Sequence, residues 1–300
     1  NKLVSLLLAG LFVCGSGVAR DVTSFNTGWQ FKKGPFSADA MKAASQWEGK
    51  WEQWTSRIHG MPGICRFGII ISMKGGYYKK NFFCPGELKD KRVFLRFEGV
   101  GLFGSDVNGR LAGTHKGGYS AFVVEIGPSL KPGSDNEIVV KADNQSRPDV
   151  IPVNHVLFGV YGGIYRPVWL VVTGKSSIAL MIVLPPAFNH SEECIEAFGR
   201  PLPVKVKLDN AALHPVPVVL ENTIYTQEGR KVASQKQNIE LTPHGIQACV
   251  ANFKLNHPHL WQGREDPYLY KVVSRLMQME VIDEVVQPLG VRKYEISSRI

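Results

Sequence analysis

Apolar and polar residues alternate along much of this chain. Between Arg92 and Val100, the side chains of Val93, Leu95 and Phe97 share one face, with Phe94 and Arg96 opposite. A period of two predicts a half-buried strand. The aromatic-rich stretch Tyr77–Cys84 predicts another. Pro85-Gly86 and the charged residues after it predict the turn between them. Phe122–Ile126, Asn136–Ala142 and Val168–Val172 predict three further strands, with Lys131-Pro132-Gly133 turning the chain between the first two. Gly104, Ser105 and Asp106 interrupt β periodicity just before Val107-Asn108-Gly109, so no regular strand is expected there. Short strands divided by turns predict an antiparallel sandwich of the jelly-roll kind over residues 20–174.

From Lys175 the style repeats with different content. Val204, Val206 and Leu208 alternate with Lys205 and Lys207. Val216–Val232 holds two strand-like parts around Glu228-Gly229, and Gln247–Leu255 and Pro267–Asp283 follow. Leu269–Ile282 can also be read as a helix; strands are preferred because a β-branched run ends it and nothing caps a helix start. The strand count over residues 175–285 fits an immunoglobulin-like sandwich without the antibody disulfide and tryptophan. The fold class expected is therefore all-β, a jelly roll followed by an immunoglobulin-like sandwich, with residues 286–300 as the start of a linker.

Composition narrows the function. Of 300 residues, 44% are hydrophobic and 20% charged, which is globular and long enough for two domains. The net charge of +9 is spread over scattered lysines and arginines. With no basic run or RNA-binding motif, nucleic acid is not expected as a partner. Residues 1–19 read as a secretory signal peptide: Lys2 is basic, Leu3–Val13 is a short apolar core, and Gly17-Val18-Ala19 offers small residues for cleavage. The mature chain is expected to begin near Arg20 or Asp21, to be exported to the periplasm or secreted, and to have no membrane contact after cleavage. Cys14, Cys65, Cys84, Cys194 and Cys249 lack metal spacing, and most have apolar flanks, as buried thiols do. His257-Pro258-His259 has too few companions for a zinc site. No phosphate loop or nucleophile elbow occurs, so neither metal nor cofactor is expected.

One cluster stands apart. Tyr161-Gly162-Gly163-Ile164-Tyr165-Arg166-Pro167 breaks an apolar run just before the strand Val168–Val172. Gly162 and Gly163 permit positive φ or close backbone approach, and Pro167 fixes the chain leading into the strand. One reading is a structural corner whose tyrosines pack and whose arginine pairs with a carboxylate. The other is an aromatic and arginine patch that touches a sugar or a neighbouring domain.

The ordered set FNTGWQFKKG, GGYYKKNFFCPGELKDKRVFLRFEGV, VNGRLAGTHKGGYSAFVVEIGPSLKPGSDNEIVVKADN and YGGIYRPVWL resembles the N-terminal domain of glycoside hydrolase family 2. That family holds β-galactosidases, β-glucuronidases and β-mannosidases, and the likeness is greatest to bacterial, exported β-galactosidase-like members. Pro267-Tyr268-Leu269-Tyr270 and Gly290-Val291-Arg292 match the phrases that close the family's immunoglobulin-like domain ahead of a catalytic (β/α)8 barrel. The resemblance implies retaining hydrolysis of a β-linked sugar by two barrel glutamates, so no catalytic residue is assigned here. Glu295 lies in the connecting phrase. The YGGIYR corner faces the barrel in that architecture, which makes Asn154, His155, Tyr161, Tyr165 and Arg166 candidates for sugar or inter-domain contact. The acidic residue that many members carry four positions before the Tyr-Gly-Gly is replaced by Leu157.

The expected partners are then a carbohydrate, the chain's own barrel and, in a homo-oligomer, a second copy. The alternatives are a stand-alone carbohydrate-binding β-sandwich, holding sugar on Tyr161, Tyr165 and Trp169, and a structural fragment without ligand.

Overall fold

Val93, Leu95 and Phe97 are each at most 1% exposed, all on one face of strand β5 (Arg92–Phe97). The computed structural model describes residues 20–33, 51–53, 76–143, 148–151, 163–183 and 202–292. The proposed leader, Asn154, His155, Tyr161, Gly162, Cys14, Cys65 and Cys194 lie outside them. The chain divides into two compact units, one of residues 21–174, the other of residues 175–300 with those up to Arg20.

In the first unit, β5 lies in a four-stranded sheet with β1 (Arg20–Ser24), β8 (Phe122–Glu125) and β10 (Val168–Thr173), in the order β1-β10-β5-β8. A six-stranded sheet holds β2 (Gln30–Lys33), β3 (Glu52–Gln53), β4 (Gly76–Cys84), β6 (Leu102–Val107), β7 (Arg110–His115) and β9 (Ser134–Asp143), in the order β3-β2-β4-β9-β6-β7. One apolar cluster joins the inner faces: Leu95, Phe97, Val124, Leu170 and Val172 from the first sheet, and Phe31, Tyr78, Val107, Ile138 and Val140 from the second. Burying each such side chain is worth about 1.5–3 kcal/mol, which holds the sandwich together. Trp29 is wholly buried in this core and satisfies its indole N–H on the Phe25 carbonyl at 2.8 Å.

Residues 102–107 correct the expectation of interrupted β structure. They form β6, paired on one side with β9 and on the other with β7. Ladder bonds from two neighbours outweigh the weak propensity of Gly104, Ser105 and Asp106. A register shift between Ser105 and Asp106 absorbs the irregularity. Asn108 (φ 53°) and Gly109 (φ 79°) then make the two-residue turn into β7, both positive as a type I′ hairpin requires.

The second unit pairs a three-stranded sheet, β11 (Ser176–Val183), β12 (Leu202–Asn210) and β15 (Gly245–Phe253), with a four-stranded one. The latter runs β14-β13-β16-β17, from β13 (Val216–Tyr225), β14 (Lys231–Leu241), β16 (Tyr270–Met277) and β17 (Val281–Leu289). Val204, Val206 and Leu208 point into its core and Lys205 and Lys207 out. The molecule is thus all-β, and its described residues contain no (β/α)8 barrel.

Candidate functional site

The corner that feeds β10 is built from glycine and aromatic packing. Gly163 has φ +77°, and the next residue, Ile164, is fully buried and bridged to Val100. Tyr165 is 8% exposed, and its hydroxyl donates to the Gly118 carbonyl. Its ring lies against Gly99, where an added Cβ would come within 3.0 Å of Tyr165 Cζ and 2.9 Å of Arg166 Cδ. Below the corner, the Glu98 N–H donates to the Pro167 carbonyl at 3.0 Å, and the Val168 N–H to Asn26 Oδ1 at 2.7 Å.

Of the residues singled out in the sequence, Gly163, Tyr165 and Arg166 are therefore brought together here; Asn154, His155, Tyr161 and Gly162 lie outside the described residues. Arg166 is exposed, with its guanidinium 5.8 Å from the Tyr165 ring centroid, and forms no ion pair among the described residues. Trp169 stands on β10 opposite Arg96, whose Nε lies 3.1 Å from Glu98 Oε1. His115 ends β7 and stacks on Phe122 at 3.9 Å; burial lowers its pKa. Of its described side chains the corner thus presents the Arg166 guanidinium, a group that can bind and orient a polar partner, while Tyr165 packs beneath it.

Sequence reading missed Gly99 and Gly118. The first is a close-approach glycine and the second the acceptor for Tyr165. The Gly99-Val100-Gly101 and Gly117-Gly118 runs were the available signals.

Elsewhere, His259 Nε2 is 2.6 Å from Asp266 Oδ2, and its ring stacks on Tyr268 at 4.0 Å. Glu228 accepts from the Tyr268 hydroxyl at 3.3 Å. This cluster pins the loop ahead of β16. Cys84 and Cys249 are free thiols whose pKa burial raises.

Comparison with known proteins follows the same division. The sequence model of glycosyl hydrolases family 2 matches residues 201–292. A β-glucuronidase of Bacteroides fragilis is 33% identical over 222 residues, covering 73% of this chain and 31% of that protein. A B. fragilis crystal structure, provisionally assigned as a β-galactosidase, is 55% identical with a TM-score of 0.77, covering 93% of this chain and 42% of that one. Bacteroides uniformis β-glucuronidase 2, covalently bound to cyclophellitol-6-carboxylate aziridine, superposes with a TM-score of 0.73 at 26% identity, over 91% of this chain and 32% of that one. The chain spans between 24% and 31% of the length of the first curated relatives it matches.

Proposed function

The chain belongs to glycosyl hydrolases family 2, and on that premise we propose that it is the non-catalytic N-terminal portion of an exported, retaining β-glycosidase with β-galactosidase-like specificity. The observation that carries this reading is the 55% identity over 93% of the chain to a protein of which it covers only 42%. In the whole enzyme, two carboxylates about 5 Å apart, one acid/base and one nucleophile, carry out retaining hydrolysis outside this chain. The covalent cyclophellitol adduct of the B. uniformis relative supports a nucleophilic mechanism.

This chain's share is positional. The two sandwiches brace the catalytic domain, and the corner at Gly163–Arg166 shapes the entrance of the sugar pocket. The exposed Arg166 guanidinium, which forms no ion pair among the described residues, supports that role, since its five-donor fork suits a carboxylate or sugar hydroxyls. The N-terminal leader carries the protein out of the cytoplasm.

Hydrolysis of nitrophenyl β-galactoside, β-glucuronide and β-mannoside by the full-length gene product, with the anomer released read by NMR, tests this function. Preferred cleavage of the galactoside with retention is expected. Inversion, or preference for either other sugar, would overturn the mechanism or the specificity respectively.

A further inference from the structure

We propose that the outer face of the three-stranded sheet in the second unit seats the enzyme's downstream region, which meets it with carboxylates set among aliphatic side chains. The inference rests on the reading of this chain as one portion of a longer glycosidase, and it names the surface through which the second unit braces the rest.

Strand register builds the face. Leu180, Lys207 and Ala248 lie side by side across β11, β12 and β15, and Ile182, Lys205 and Val250 form the next row. A column of lysines is therefore flanked by two aliphatic columns. Leu180 is 42% exposed, Ile182 37% and Val250 43%. Lys205 and Lys207 are exposed and form no ion pair among the described residues. The opposite sheet of the same unit treats its charges differently. There Lys236 Nζ lies 3.5 Å from Glu221 Oε1, and Arg275 Nε 2.6 Å from Glu284 Oε2. One sheet pairs its charges within itself; the other leaves two cations with an apolar border, a surface made for a partner of opposite charge.

Both edges of the sheet are engaged, so the partner lies on the face and does not add a strand. Gln235 Nε2 donates to the Asn252 carbonyl at 2.7 Å and Gln237 Nε2 to the Val250 carbonyl at 2.9 Å, both on β15. On β11, the Ile178 N–H donates to Asp283 Oδ2 at 2.6 Å and the Ile178 carbonyl accepts from Arg20 Nη2 at 2.6 Å.

Charge and composition select the occupant. A second copy docked through the same face about a two-fold axis would set lysines against lysines. The two rows hold no aromatic ring for a sugar to lie on. A protein surface with carboxylates fits, and the enzyme supplies one: this chain covers only 42% of the related B. fragilis structure. It leaves the second unit through Val291, whose carbonyl accepts the Trp261 N–H at 2.7 Å. Val291 follows β17, the strand whose Asp283 is bonded to β11.

The test is carbodiimide cross-linking of the full-length protein, mixed from unlabelled and heavy-isotope-labelled batches, with the joined peptides read by mass spectrometry. An amide between Lys205 or Lys207 and an aspartate or glutamate beyond Ile300 of the same copy is expected. Joined peptides of mixed label would put a second copy on the face and overturn the inference. Links from these lysines only to carboxylates within residues 1–300, or no links, would overturn it too. In the full-length protein, Lys205→Glu/Lys207→Glu should lower the melting midpoint by about 2 °C or more. Reversing the cross-linked carboxylate to lysine should then restore it, which a merely local defect would not allow. An unchanged midpoint overturns the charge contact. A full-length protein that cross-links as expected but cleaves no glycoside overturns the proposed function and leaves this surface standing; cleavage without the cross-link does the reverse.

Discussion

A Cβ added to Gly163 would fall onto the Tyr78 hydroxyl and within 3.1 Å of Tyr78 Cζ. Tyr78 is wholly buried in the core of the first unit, so its ring would have to shift within a packed core. Gly163 also holds φ +77°, where a β-branched residue is strained in any surroundings. Two independent constraints therefore demand glycine. Gly163→Val should destabilise the first unit by about 2–4 kcal/mol, and Gly163→Ala by somewhat less. Denaturant melts decide it, and an unchanged midpoint for the valine variant would refute the corner.

Arg166 should behave in the opposite way. Exposed and without an ion pair among the described residues, it contributes little to the chain by itself, so Arg166→Ala should shift its stability by less than about 0.5 kcal/mol. In the full-length enzyme the same substitution should lower kcat/KM, because the partner that the guanidinium is proposed to meet lies there. Equal losses of stability in both forms would make Arg166 an internal brace instead.

Burial lowers the pKa of His115, so the folded state disfavours the imidazolium. The unfolded chain then binds more protons, and its stabilising share, complete above the unfolded value of about 6.5, is lost as pH falls below it. The melting midpoint should drop between pH 7 and pH 5, and His115→Phe should drop less over that interval. Parallel pH profiles for the two proteins would contradict this.

Lys80 is the basic counterpart. Its Nζ donates to the Phe25 carbonyl at 3.1 Å and sits 3.3 Å from the Phe25 ring centroid; burial lowers its pKa to about 8. An unfolded lysine titrates near 10.4, so stability should rise with pH between about 8 and 10, while the full cost of the buried ammonium persists below 8. Lys80→Met should flatten the rise relative to the parent and raise the midpoint at pH 7. A lower midpoint for Lys80→Met at pH 7 would show that the carbonyl and ring contacts outweigh desolvation.

The strands that sequence revealed are those with clean alternation against one core. Val93, Leu95 and Phe97 on β5, and Val204, Val206 and Leu208 on β12, are examples. β6 was hidden because its stability comes from two partner strands rather than from its own residues. β11 escaped notice for another reason. Its register shifts between Ile178 and Leu180, which breaks the period-two pattern. At the corner, the glycines of the YGGIYRP run announced a bend, and Gly163 supplies one. The packing of Tyr165 on Gly99 and its bond to Gly118 join residues separated by 47 positions or more, which no local pattern displays.

The central claim, that this chain supports a glycosidase without carrying its chemistry, is tested most directly by assaying the purified 300-residue chain beside an equimolar amount of the full-length product on nitrophenyl β-galactoside. The account predicts turnover by the full-length protein and none by the chain, because the carboxylate pair that retaining hydrolysis requires is proposed to lie outside it. Turnover by the chain that survives repurification and disappears when one of its own residues is substituted would contradict it.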